Sequence, residues 1–184
     1  GIPILFSHEM AICFYFEEYE AGVNNYFEIG NNINGILGSA HMFDYVVFGA
    51  LNILSSLYYS NKDFDKRIKE IKKLIKILEK WSKGNPKDFK YYLYLVKGLY
   101  NYHKDRASKA NRYIKLCESA ISSCNNLRDK PILLEMMAIY YQFYGEERIS
   151  SYYRYDSFLK YKIWGAQGIA KYKLEHYNSL SLTQ

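Results

Sequence analysis

Proline is the scarcest structural signal in this chain, with three in 184 residues, and the eleven glycines do not cluster. Collagen-like, linker-rich and disordered classes are thereby excluded, since each depends on an excess of those residues. Cysteine is equally sparse: Cys13, Cys117 and Cys124 are an odd number without close spacing, each in an apolar stretch. A disulfide framework does not fit, and a reducing, cytoplasmic setting is the expectation. Long apolar runs are missing too. Met42 to Leu51 is broken by Asp44, and Ile132 to Tyr141 by Glu135, so no segment approaches the ~20 residues of a membrane span. The chain opens on Gly1 rather than Met, and a charged region followed by an apolar stretch and a cleavage site is lacking. It reads as a segment of a longer polypeptide.

What the chain does have is tyrosine, 21 of them, and a net charge of +6. Such an imbalance bears on association and solubility rather than on fold. Apolar residues recur at helical spacing almost throughout. The spacing predicts helices over 7–18, 21–37, 42–60, 63–82, 88–103, 106–125, 131–144, 146–164 and 167–177. Ser7 and Asp63 stand where helices should begin, Pro131 suits a first helical position, Gly84 is placed to end a helix in the left-handed conformation, and Asn125-Asn126 and Gly145 mark two further breaks. Starts near 42, 89 and 131 put successive hairpins a little over forty residues apart, longer than a tetratricopeptide period. The expected architecture is all-α: stacked antiparallel hairpins in a right-handed TPR-like α-solenoid, forming one domain over 1–184.

The stretch 89–104 shows how the helices should pack. Phe89, Leu93, Val96 and Tyr100 make one apolar stripe, and Tyr92, Leu95, Leu99 and Tyr102 a second. Two apolar faces need two neighbours. The remaining stripe, Lys90, Tyr94, Lys97, Asn101 and Lys104, is polar and is the candidate partner-contact face. The next helix carries Tyr113, Leu116, Cys117, Ala120, Ile121 and Cys124 as its apolar stripe.

Particular residues also carry a family likeness. Lys80 and Trp81 are followed by Pro86 and Phe89 and a helix rich in Tyr92, Leu93, Leu95 and Val96. Further on come Gly145, Tyr161 and the closing Trp164-Gly165-Ala166, then Leu174, Glu175 and Tyr177. With Gly38 and the Tyr45 to Leu51 helix, this pattern resembles the tetratricopeptide-like helical region of giant multidomain signalling ATPases, which join a serine/threonine kinase, a STAND-type ATPase and often a histidine kinase. Ser150 and Ser157, where that region usually has Ala, Tyr113 in place of a small residue, and Asn178 in place of Pro depart from it. The resemblance implies a region between the ATPase and the sensor and histidine kinase domains, relaying or restraining signals through protein contacts.

No motif supplies chemistry. Gly35-Ile36-Leu37-Gly38 and Gly165-Ala166-Gln167-Gly168 lack the third glycine, the lysine and the preceding strand of a phosphate-binding loop. Ser7-His8-Glu9 begins like the phospho-accepting box of a sensor kinase, but Met10-Ala11 do not continue it. His8, His41, His103 and His176 are far apart in sequence, and Cys117 and Cys124 lie about 10 Å apart along a helix, so neither set reads as a metal site. Glu17-Glu18 and Glu146-Glu147 read as solvated pairs. Between Asp65 and Lys80, seven bases face three acids on an amphipathic helix, read as a solvated outer face. The expected function is therefore a non-catalytic helical-repeat module, without cofactor or metal, contacting a protein partner or neighbouring domains of its own chain. A stand-alone adaptor that binds a peptide is the alternative, and a basic nucleic-acid-binding domain a lesser one.

Overall fold

The computed structural model describes residues 2–181, and side chains over 4–177. Among the described residues there are nine α-helices and no strand: α1 (Ile2–Tyr15), α2 (Tyr19–Asn31), α3 (His41–Ser56), α4 (Phe64–Gly84), α5 (Pro86–His103), α6 (Ala107–Ser122), α7 (Asp129–Tyr144), α8 (Glu147–Trp164) and α9 (Gln167–Ser181). A 3-10 turn at Ile33–Gly35 follows α2. The all-helical class and the number of helices match the sequence reading. No helix among these residues is long and apolar enough to cross a membrane. The chain divides into two compact units, 1–113 and 114–184, with the border inside α6.

Several helix ends differ from expectation, each for a local reason. Helix α1 begins at Ile2, so Ser7 is not a cap; it is buried and its hydroxyl donates to the carbonyl of Ile4 at 2.8 Å. Helix α2 stops at Asn31, and Asn32 leads into the 3-10 turn. Asp63 precedes α4 in the left-handed region (φ 51°) and its side chain caps nothing. Gly84 stays within α4, and the break comes at Asn85 (φ −142°, ψ 81°), ahead of Pro86 at the start of α5. Helix α7 begins two residues before Pro131, because the Oδ1 of Asn126 accepts the amides of Arg128 and Asp129 at 2.9 and 3.1 Å.

In the first unit α3 is the hub. It packs against α1, α2, α4 and α5, and is buried from Tyr45 to Ser56. Its contact with α2 is close because glycines lie on both sides of the crossing. A Cβ on Gly22 would lie 2.3 Å from Cγ of Asn52, and one on Gly49 would lie 2.5 Å from the Tyr26 ring. That ring is itself stacked on Tyr45 at 4.7 Å. Asn52 ties α3 to α1, its Nδ2 donating to the carbonyl of Met10 at 2.9 Å. Helix α5 packs against α3 and α4 and buries six of the eight residues of its two predicted apolar stripes, Phe89 and Tyr102 being half-buried. At its C-terminal end the Nε2 of His103 lies 2.9 Å from the carbonyl of Leu54.

In the second unit α8 packs against α7 and α9. Ser150 and Ser157 are buried, and their hydroxyls donate to the carbonyls of Ala138 and Pro131, each at 2.8 Å. Lys173 of α9 and Glu135 of α7 form a fully buried ion pair, and Tyr161 of α8 donates to the same carboxylate at 2.6 Å. Glu118 accepts hydroxyls from Tyr141 and Tyr153 at 2.6 and 2.8 Å. Both phenols are held well above their ordinary pKa, first by burial and then by that carboxylate. Gly145 and Gly165 end α7 and α8 at φ 90° and 87°. In each case the next residue's amide reaches back to a tyrosine carbonyl, Tyr141 or Tyr161, in the double hydrogen-bond pattern of a glycine-terminated helix. Leu116, expected inside, is exposed; the buried stripe of α6 is Ala110, Ile114, Cys117 and Ile121, and Cys124 is buried just beyond the end of the helix.

Candidate partner-contact face

The five residues Lys90, Tyr94, Lys97, Asn101 and Lys104 alternate at spacings of four and three on α5, which puts them on one stripe of a helix. The rest of that helix explains their position. Its two apolar stripes occupy the sides facing α3 and α4, so the polar stripe is left as the remaining side. Lys90 is exposed, Tyr94, Lys97 and Lys104 are half-buried, and Asn101 is buried with only 6 % of its surface accessible. Its Nδ2 donates to the carbonyl of Lys97 at 2.8 Å, back along its own helix. The face open to a partner is thus narrower than the sequence stripe.

Cations and rings alternate along it. The ammonium of Lys90 sits 5.6 Å from the ring of Tyr94, that of Lys97 lies 5.5 Å from Tyr113, and that of Lys104 lies 5.9 Å from Phe64. Tyr94 and Tyr113 lie 6.5 Å apart. Each cation–ring contact at such a partly exposed site is worth about 0.5–1 kcal/mol, enough to orient a lysine without removing it from solvent. Lys97 also forms a 2.7 Å ion pair with Glu79 of α4. Tyr113 therefore serves as a platform for this stripe. That role follows from packing between α5 and the start of α6, which periodicity in one helix does not reveal.

The basic helix α4 departs from its sequence reading at one residue. Lys66, Lys69, Lys72, Lys73, Lys76 and Lys80 are exposed, but Arg67 is buried, at 2 %. Its two terminal nitrogens each donate to one oxygen of Glu20 at 2.7 Å, and Nη1 also reaches the hydroxyl of Ser56 at 2.7 Å. That hydrogen bond lowers the Glu20 pKa. A fork-on-fork pair of this kind is the geometry in which an arginine tolerates burial.

The histidines are not as scattered as their sequence positions imply. His8 of α1 and His41 of α3 meet edge to face with ring centroids 5.0 Å apart, and Asp44 stands one turn after His41. His103 is alone at the far end of α3, where burial lowers its pKa to about 4. All three cysteines are buried, and burial together with Glu18 and Glu9 pushes the Cys13 thiol up, away from nucleophilic character. No protein-family model matches the chain, and neither a curated protein nor a solved structure similar to it was found.

Proposed function

We propose that this chain is a non-catalytic, TPR-like helical-repeat module that makes protein contacts within a multidomain signalling ATPase or kinase, in the cytoplasm. The observation that carries the reading is the neighbour pattern of α3, which touches the helices one and two places before and after it. That is how a helix packs when hairpins stack in series, and such stacks leave a side of each inner helix for partners. The cation–aromatic stripe of α5 supplies that side in the first unit. Lysines held over rings suit an acidic or carboxylate-rich segment, from a neighbouring domain of the same chain or from a separate protein.

The parent polypeptide provides the direct test. A STAND-type ATPase should precede residue 1 and a sensor or kinase domain should follow residue 184; a gene encoding neither overturns the assignment to that class. At the level of the face, Lys90→Glu should weaken association with the adjoining domains by about tenfold, as loss of one well-placed charge contact does. Exchanging Lys97 and Glu79 keeps their ion pair while reversing the charge of the stripe, so it separates recognition from folding. Unchanged affinity in both variants, measured by titration calorimetry, would remove α5 as the contact face.

A further inference from the structure

We infer that His8, His41 and Asp44 form a surface zinc site that pins α1 to the start of α3. One donor atom from each of the three residues can be chosen so that all lie within 4.8 Å of one another. Zinc bonds of about 2.1 Å in a tetrahedron place donors about 3.4 Å apart. The difference is at most about 1.4 Å of side-chain motion, and His8, on the exposed side of α1, has room to make it.

The second observation concerns His41. Its Nδ1 lies 3.2 Å from the hydroxyl oxygen of Ser7, a residue with no exposed surface. The Ser7 proton is already committed to the carbonyl of Ile4, at 2.8 Å. The serine oxygen can therefore only accept from His41, which places the imidazole proton on Nδ1 and the lone pair on Nε2. A histidine whose one nitrogen is fixed by a buried oxygen while the other is left as a donor is the arrangement that metal-binding imidazoles use. Ser7 is otherwise an odd residue for the buried side of an apolar helix. His41 opens α3 and Asp44 follows at a spacing of three, so both project from the same face of its first turn.

The donor set selects the metal. Two imidazoles and one carboxylate suit zinc and its borderline neighbours, not calcium or magnesium, which take oxygen ligands. Three protein donors leave a fourth position to water. The site draws on two helices that already pack together, so metal would add a cross-link to an existing contact.

The test uses the full chain without a polyhistidine tag, titrated with zinc chloride by calorimetry and with cobalt(II) by absorption. One zinc per chain should bind, the melting temperature should rise with zinc and fall back with chelator, and cobalt should show d–d bands without an intense thiolate charge-transfer band. His8→Ala, His41→Ala and Asp44→Asn should each weaken binding about tenfold or more. His8 is exposed, so His8→Ala should leave the metal-free melting temperature unchanged, which keeps the test decisive if a change at His41 disturbs folding. Ser7→Ala should weaken zinc binding less than His8→Ala does, without altering the one-to-one ratio. Zinc affinity that survives His8→Ala and disappears with Cys13→Ser, or no saturable binding by the unaltered chain, overturns the inference.

Discussion

His103 shows how one side chain can set a pH dependence. Its half-buried imidazole packs against Tyr58, with ring centroids 4.5 Å apart, and reaches the carbonyl of Leu54. Burial holds its pKa at about 4 against an ordinary value of 6.5. The folded protein therefore keeps the ring neutral at pH values where the unfolded chain would protonate it. The contribution is fully present above pH 6.5, declines as the pH falls from 6.5 towards 4, and is gone below that. The whole loss is on the order of 3 kcal/mol. Urea denaturation at pH 7.5 and pH 5 should show this decline, and His103→Gln should flatten it while keeping a donor towards Leu54. Arg67 marks the limit of reading charge from sequence at this scale. It stands among lysines in an amphipathic helix, and only the fold brings Glu20, 47 residues earlier, to its guanidinium. His8 and His41 read as unrelated for the same reason, being 33 positions apart in sequence and brought together only by the packing of α1 on α3.

At the scale of the element, the α2–α3 crossing and the α7–α8–α9 cluster lose stability on mutation for different reasons, overpacking in the first and an unpaired charge in the second. Gly49→Ala should gain a little helix propensity but drive a methyl group into the Tyr26 ring, which Tyr45 and the Glu70 carboxylate hold in place. Overpacking of that sort costs about 1–3 kcal/mol, more than the roughly 1 kcal/mol of propensity gained, so the melting temperature should fall. Lys173→Ala leaves Glu135 buried without its cation and should cost about 3–5 kcal/mol by chemical denaturation. Replacing the pair together, Lys173→Met with Glu135→Leu, should recover part of that, because desolvation of both charges is removed along with their attraction while the buried Tyr161 hydroxyl loses its acceptor. The helices themselves were legible from the sequence: nine were predicted and nine are present among the described residues, the apolar periodicity being plainest in α4 and α6 and nearly absent in α1. Their ends were less so. Gly145 and Gly165 take the left-handed conformation, whereas Gly84 does not, because Asn85 and Pro86 already redirect the chain there. Of the proposed contact stripe, the helix face was readable but the burial of Asn101 and the pairing of Lys97 with Glu79 were not, as both depend on neighbouring side chains.

For the whole molecule, a charge of +6 with six exposed lysines on α4 predicts weak polyanion binding without sequence preference. Retention of single- and double-stranded oligonucleotides should be equal at 50 mM salt and vanish by about 200 mM. Retention of one sequence above that salt concentration, measured by fluorescence anisotropy, would favour a nucleic-acid function over a protein-contact one. The second unit carries a further consequence. Ser150 and Ser157 stand seven residues apart, as do the carbonyls of Pro131 and Ala138 that receive them, in reversed order along an antiparallel partner. Two rungs of equal spacing make a vernier: sliding α8 along α7 by a single turn would break both at once and offer no intermediate alignment. Shear is thereby the costly motion for this pair, and a mechanical input reaching it would turn the two rods together rather than draw one past the other.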